Sequence, residues 1–291
     1  MNKPRLALFI GILSISIFPI LIRLQLSSGL ISAFYRMAIA AAILVPYVYF
    51  TGKLKLPRQF ILPTVLCGVI FASDISVWNV SIQESTATQA TLLANLSPMW
   101  VGIISFLFLK TKPRRSFWMG SAIAMTGVVV FFGLQSFKEL SFDRAFYLAV
   151  LSGFLYALYI LLSKNVLEKV DVLPFIAISS LSSAVFLLFV NIAFGEAFSG
   201  FSSQAWLVLV VQGVVCQLLA WILISYATKH MRATRVSLSL LSQVVFAGLL
   251  AWIFLNEQIT VQKAMGGALI LAGIVVTFIE PKPKERLVLP S

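Results

Sequence analysis

Apolar residues along this chain run together for about twenty positions at a time and then yield to a few polar ones, about the length a helix needs to cross a bilayer. Ten such runs can be marked, at 5–26, 29–50, 60–82, 87–109, 116–135, 145–166, 173–194, 204–227, 233–255 and 260–279. They show no sustained two-residue alternation and are too long for the strands of a membrane barrel. The pattern therefore predicts an all-α membrane protein with ten transmembrane helices joined by short turns.

The runs also repeat. Shifting the chain by 146 positions lays Ala87 on Ala233, Thr88 on Thr234, Leu92 on Leu238, Gly102 on Gly248 and Phe108 on Phe254. The same register carries Gly120 onto Gly266, Ala122 onto Ala268, Gly127 onto Gly273 and Phe132 onto Phe278. An ungapped match through two helices and the loop between them indicates duplication. Each copy, 1–139 and 140–291, holds five spans. An odd number inserts the second copy upside down, which gives a 5+5 inverted-topology repeat, an arrangement found in secondary transporters with a site near the midplane.

Composition agrees with the pattern: 60% of the 291 residues are hydrophobic, 11% are charged, and the mean hydropathy is +0.99. The net charge of +12 changes meaning once it is mapped. Basic residues collect in alternate loops: Lys3 and Arg5; Lys53, Lys55 and Arg58; Lys110, Lys112, Arg114 and Arg115; Lys164 and Lys169; Lys229, Arg232 and Arg235; Lys282, Lys284 and Arg286. The opposite loops hold only Lys138, Arg144 and Lys263. By the positive-inside rule both termini are expected in the cytoplasm, and the basicity is topological, with no nucleic-acid partner. The first run is too long for a cleaved signal and is expected to remain as a helix.

Several chemistries lack their residues. The two cysteines, Cys67 and Cys216, fall inside predicted spans, and the one histidine, His230, sits in a basic loop, so no disulfide framework, metal site or cofactor is expected. No phosphate-cradling glycine loop is present, and a single embedded acid without an intramembrane histidine supplies no nucleophile and base pair. The chain is not expected to be an enzyme.

Particular segments carry a resemblance. They are the arginine early in the second span, AFYRMAIAAAIL (34–45), then TATQATLLANLSPMWVGIISFLFL (86–109), a basic loop and MGSAIAMTGVVVFFG (119–133). The second half answers with RATRVSLSLLSQVVFAGLLAWIFLNEQIT (232–260) and GGALILAGIVV (266–276). Over essentially its whole length the chain resembles the drug/metabolite transporter superfamily, in particular its EamA-like exporters. It departs from that pattern in SISIFPI (14–20), where a Trp-Gly pair is common, and in LSQ (241–243), where a proline is more usual. The resemblance implies a bacterial inner-membrane exporter of small metabolites, amino acids (aromatic ones included) being the leading cargo, working as a monomer or homodimer within the lipid bilayer. Drug efflux, metabolite uptake and a non-transporting scaffold or sensor remain alternatives.

Depth selects the candidate site. Asp74 in FASDISVWN is the one acidic residue well inside a span, and a carboxylate in hydrocarbon costs at least a few kcal/mol unless paired or functional. Arg36 falls at the same depth, roughly 10–12 Å from the outer end of its helix, and Arg23 is shallower. Asp74 is expected to pair with Arg36 or Arg23, either to fix packing or to face a cavity, where the pair can receive a zwitterion. Trp78 lies one turn beyond Asp74. At mid-membrane Ser97 and Trp100 match Gln243 and Phe246 in the repeat, accompanied by Tyr156, Tyr159, Gln217 and Trp221. As a set they suit an apolar pocket with a few polar fixing points, although each aromatic also suits ordinary helix packing. Asn95 and Pro98 are expected to interrupt the fourth helix. The glycines at 120, 127, 266 and 273 read as close-packing faces, and Ser179, Ser180, Ser182 and Ser183 as helix-bonding groups. Glu84, Glu139, Asp143 and Glu196 are assigned to solvated outer loops.

Overall fold

A computed structural model describes residues 3–84, 87–110, 112–133 and 142–279. Ten membrane-length helices run through them: α1 (Lys3–Ile22), α2 (Gly29–Phe50), α3 (Arg58–Glu84), α4 (Gln89–Phe108), α5 (Arg115–Phe132), α6 (Arg144–Leu167), α7 (Val172–Ala193), α8 (Ser203–His230), α9 (Ala233–Leu255) and α10 (Val261–Phe278). Their ends depart from the apolar runs by little more than a turn. The boundary near residue 139, Lys138, Glu139 and the basic tail of Lys282, Lys284 and Arg286 lie outside the described residues.

Exchange of the two halves reproduces the main helix contacts. Helix α5 lies along α10, α2 along α7 and α4 along α9, each against its own counterpart. Other strong contacts come in matched pairs: α3 with α6 and α8 with α1, α3 with α7 and α8 with α2, α4 with α6 and α9 with α1. The 5+5 inverted arrangement is thus built into the contacts.

Lipid tails are as apolar as leucine, so these helices are held by close approach and hydrogen bonding. Along α5 and α10 the four glycines bring backbone against backbone. A Cβ on Gly127 would stand 2.5 Å from Ile270 N, one on Gly266 2.4 Å from Phe131 N, and one on Gly120 2.4 Å from Gly273 O. Between α3 and α7, a Cβ on Gly68 would lie 2.2 Å from Ser179 O. There Ser183 Oγ donates to Gly68 O (2.7 Å) and Ser182 Oγ to Val65 O (3.3 Å), as expected for this serine run.

Three helices are interrupted. Helix α1 breaks at Ile17, ahead of Pro19, into Lys3–Ser16 and Phe18–Ile22. Helix α4 breaks at Asn95 and Leu96, after Ala94 and before Ser97–Phe108, where Asn95 and Pro98 led one to expect it. Its counterpart α9 breaks at Leu241, between Ala233–Leu240 and Ser242–Leu255, without any proline. Helix α8 instead widens into a π-helix over Gln212–Leu219. Gly213 of α8 meets Ile39 of α2 just as Gly68 of α3 meets α7. These two glycines stand 145 positions apart, whereas the broken helices that follow are offset by 146, so α8 holds one additional residue, and a π-turn is how a helix absorbs it.

The two ends of the bundle differ in chemistry. At one end Arg23 pairs with Glu257, Lys263 with the same carboxylate (3.4 Å) and Arg144 with Glu84 (3.1 Å), while Glu196 accepts from Ser28 Oγ (2.7 Å). Glu84 and Glu196 are therefore engaged rather than merely solvated, and Asp143 caps α6 by accepting from Phe146 N (2.9 Å). The other end gathers the basic loops; there Lys229 Nζ donates to Val170 O (2.9 Å) and Asp171 Oδ1 (3.2 Å).

Because Gly127 and Gly266 leave no room for a side chain, Gly127→Leu or Gly266→Leu should separate α5 from α10 and cost roughly 2–4 kcal/mol. Thermal melting of purified protein in detergent checks this. Gly52→Ala meets no neighbour but must hold φ near +64°, and should cost only about 1–2 kcal/mol, all of it backbone strain.

Candidate functional site

Helices α3 and α6 run antiparallel in contact, and their facing turns build one wall of the site. On α3, Asp74 lies one turn after Phe71. On α6, Ser152, Tyr156 and Tyr159 fall four and then three residues apart, on one face. Ser152 Oγ donates to Asp74 Oδ1 at 2.6 Å, a short charge-assisted bond deep in the bundle. Below it the Phe71 ring stacks on Tyr159, with centroids 4.6 Å apart and planes 24° apart. Tyr156 continues the stack at 6.4 Å from Tyr159. Trp221 of α8 closes this aromatic group edge-on, 4.6 Å from Phe71 and 5.3 Å from Tyr159.

Arg36 faces this wall from α2. It is buried, its guanidinium lies over the Phe18 ring (4.4 Å to the centroid), and its Nε has no hydrogen-bond partner. Asp74 and Tyr156 are within its electrostatic reach. The expected direct ion pair is absent: Asp74 bonds to Ser152, and Arg23 is taken by Glu257 at the end of the bundle. Matching depth had put Arg36 and Asp74 at one level but left open which way each helix turns its residue. The two charges thus stand apart inside the protein, each with bonding capacity unspent.

Helix α8 contributes further open valences. Gln217 Oε1, Gln212 Oε1 and Trp221 Nε1 are buried without hydrogen-bond partners, and both glutamines belong to the π-helical stretch. A π-turn splays its side chains and recurs at functional sites. The broken helices supply more: Asn95 Nδ2 and Trp100 Nε1 are likewise unpartnered. Trp100 sits edge-on to Phe154 (5.5 Å) and packs against the same central core as Phe246. Ser97 is buried at the first residue of the second α4 segment, and Gln243 is half-buried at the equivalent place in α9. Trp78 lies elsewhere, in a separate cluster with Ile82, Leu96 and Phe146.

The structure thus brings Asp74, Tyr156, Tyr159 and Trp221 together, sets Arg36 across from them, and places Ser97, Trp100 and Gln243 at the helix breaks. Sequence reasoning missed Phe71, Ser152, Phe18 and Gln212. Phe71 and Ser152 had a readable signal, since one lies a helical turn from Asp74 and the other a turn from Tyr156 on the same face. A buried carboxylate, a buried guanidinium and an aromatic wall beside them can bind a solute.

Comparison with known proteins reaches the same kind of molecule. Among curated proteins the chain is similar to an uncharacterized transporter, YdfC, of Bacillus subtilis, with 23% identity over 88% of this chain and 83% of the relative. It is similar to an uncharacterized transporter of Archaeoglobus fulgidus at 25% over 84% of the chain and 86% of the relative. A third relative is named an S-adenosylmethionine uptake transporter, from Rickettsia felis, at 23% over 87% and 84%. A solved crystal structure superposes with a TM-score of 0.78 at 19% identity, covering 94% of this chain and 96% of the other. The EamA-like transporter family matches residues 3–133 and again 144–279, one match in each half, and this chain belongs to that family.

Proposed function

We propose that this EamA-family transporter exports small amphipathic metabolites, amino acids foremost, across a bacterial inner membrane by alternating access of its two halves, with the basic face and both termini in the cytoplasm. The observation that carries the reading is the separated charge pair beside the aromatic wall. An α-amino acid has an ammonium for Asp74 and a carboxylate for Arg36, whose unpartnered Nε is free to donate. Its apolar side chain then meets Phe71, Tyr156, Tyr159 and Trp221. Each buried charge gains the partner it lacks, which is how a site selects a zwitterion over a neutral solute. The interruptions of α4 and α9 give the halves matched points at which to bend, in keeping with rocking around a fixed site.

A second reading has support. S-adenosylmethionine, named for the Rickettsia relative, carries the same α-amino acid head together with a sulfonium cation suited to aromatic faces. On that reading the chain is an uptake carrier.

The deciding measurement is counterflow in proteoliposomes loaded with phenylalanine, leucine or S-adenosylmethionine. Amino-acid counterflow is expected, with Trp221→Ala and Phe71→Ala weakening apparent affinity about tenfold while Trp78→Ala changes it little. Counterflow of S-adenosylmethionine alone would favour the second reading, and none with any solute would overturn both.

A double-mutant cycle addresses the site itself. Asp74→Asn and Ser152→Ala should be coupled by about 1–2 kcal/mol in stability, and Arg36→Gln with Asp74→Asn by less, since those side chains do not touch. A larger coupling for the Arg36 pair would restore the direct ion pair.

For orientation, a cysteine replacing Ser199 should react with an impermeant maleimide in intact cells, whereas one replacing Lys55 should be shielded. The reverse pattern would turn the molecule over.

A further inference from the structure

A second concavity lies away from this site, at the basic end of the bundle. Its volume is about 700 Å³, and it opens where α2 ends, α7 begins and α8 ends. Its walls carry Lys53 and Lys55 from the turn after α2 and Lys229 and His230 from the end of α8. The one carboxylate in the lining, Asp171, is already bound to Lys229.

Three independent features give this pocket a preference. Lys53 is held in place, its Nζ donating to Tyr47 Oη (3.0 Å), while the Lys55 side chain makes no hydrogen bond or ion pair among the described residues, so a cationic group stands ready over the cavity. The first turn of α7 forms part of the wall, and its preceding residue, Asp171, gives it no side-chain cap because that carboxylate has turned to Lys229. The amides of Val172 and Leu173 therefore present the positive end of the helix to the pocket. The last turn of α2, which leads directly into the lining residues Thr51 and Gly52, carries large exposed aromatics: Tyr49 is 67% and Phe50 83% exposed. Tyrosines so placed mark the level of lipid headgroups. Exposed aromatics beside the cavity suit a lipid more than a soluble anion, and the lysines suit an anionic headgroup more than an apolar groove would.

We infer that this pocket is a binding site for the phosphate-bearing headgroup of an anionic phospholipid, with Lys53 and Lys55 meeting the phosphate, the first turn of α7 donating to it, and Tyr49 and Phe50 lying along the lipid's acyl region. Basic recesses between helices on the positive-inside face recognise lipids of this class. Bound there, the lipid ties the α2–α3 turn to the ends of α7 and α8, and so joins elements of both halves. This site does not depend on what the carrier transports.

The test uses the full chain in nanodiscs of phosphatidylcholine alone, or with a fifth of the lipid replaced by phosphatidylglycerol, and reads the thermal unfolding midpoint. Phosphatidylglycerol should raise the midpoint by roughly 4 °C or more. Lys53→Gln with Lys55→Gln should remove most of that shift, and Lys110→Gln with Lys112→Gln, on another basic loop, should keep it. Lys55→Gln alone, which breaks no contact within the protein, should remove part of the shift and guards against a fold defect in the double variant. No shift with phosphatidylglycerol, or equal loss in both double variants, overturns the proposal. Inorganic phosphate added to phosphatidylcholine discs should have no effect. An equal shift from phosphate, lost in the same variants, would make the ligand a soluble anion and overturn the lipid assignment.

Discussion

Inside a bilayer the hydrophobic effect brings chains into the membrane but does little to hold one helix against another. Everything else in this molecule follows from how the helices meet that constraint. Where helix must lie on helix without a gap, small residues let backbone touch backbone, as Gly120, Gly127, Gly266 and Gly273 do between α5 and α10. Where two helices carry hydroxyls, the hydroxyls bond across, as Ser183 does to Gly68 O. With the perimeter sealed by such seams, the centre need not be tightly closed by its own side chains. It can hold groups that a soluble core would exclude: a carboxylate with one bond, a guanidinium without a partner at Nε, and two glutamines with open carbonyls.

Much of this architecture was legible in the chain. Ten spans could be counted because lipid demands uninterrupted apolar length, and duplication could be read because glycines at helix crossings resist change of spacing. The interruption of α4 was announced by Asn95 and Pro98. That of α9 was not, since no proline marks it. There Ser242 Oγ bonds back to Ser239 O (2.7 Å) and Ser237 Oγ to Thr234 O (3.1 Å), so side chains compete with the backbone ladder at the bend. Such back-bonding looks in sequence like any other serine in a membrane helix.

The site was half legible for a related reason. Rise per residue fixes depth, so Asp74 and Arg36 could be set at one level from sequence alone. Rotation of a helix about its own axis is fixed by its neighbours, and it turned Asp74 toward Ser152 of α6 and Arg36 toward Phe18 of α1. Ser152 is too small and too common a residue to have stood out. The aromatic group was seen as separate pairs on separate helices, and only the antiparallel contact of α3 with α6 makes one surface of them.

The additional residue in α8 has a consequence for the transport cycle. Were the two halves identical, a carrier that exchanges their roles would have outward-open and inward-open states of equal energy, related by a two-fold axis in the membrane plane. The π-turn at Gln212–Leu219 has no counterpart in α3, which is regular helix throughout, and it lies beside the aromatic wall. It makes the two halves unequal beside that wall. A carrier of this build that worked by exchanging the roles of its halves would have two states of unequal energy, set by its own backbone before any gradient acts on it.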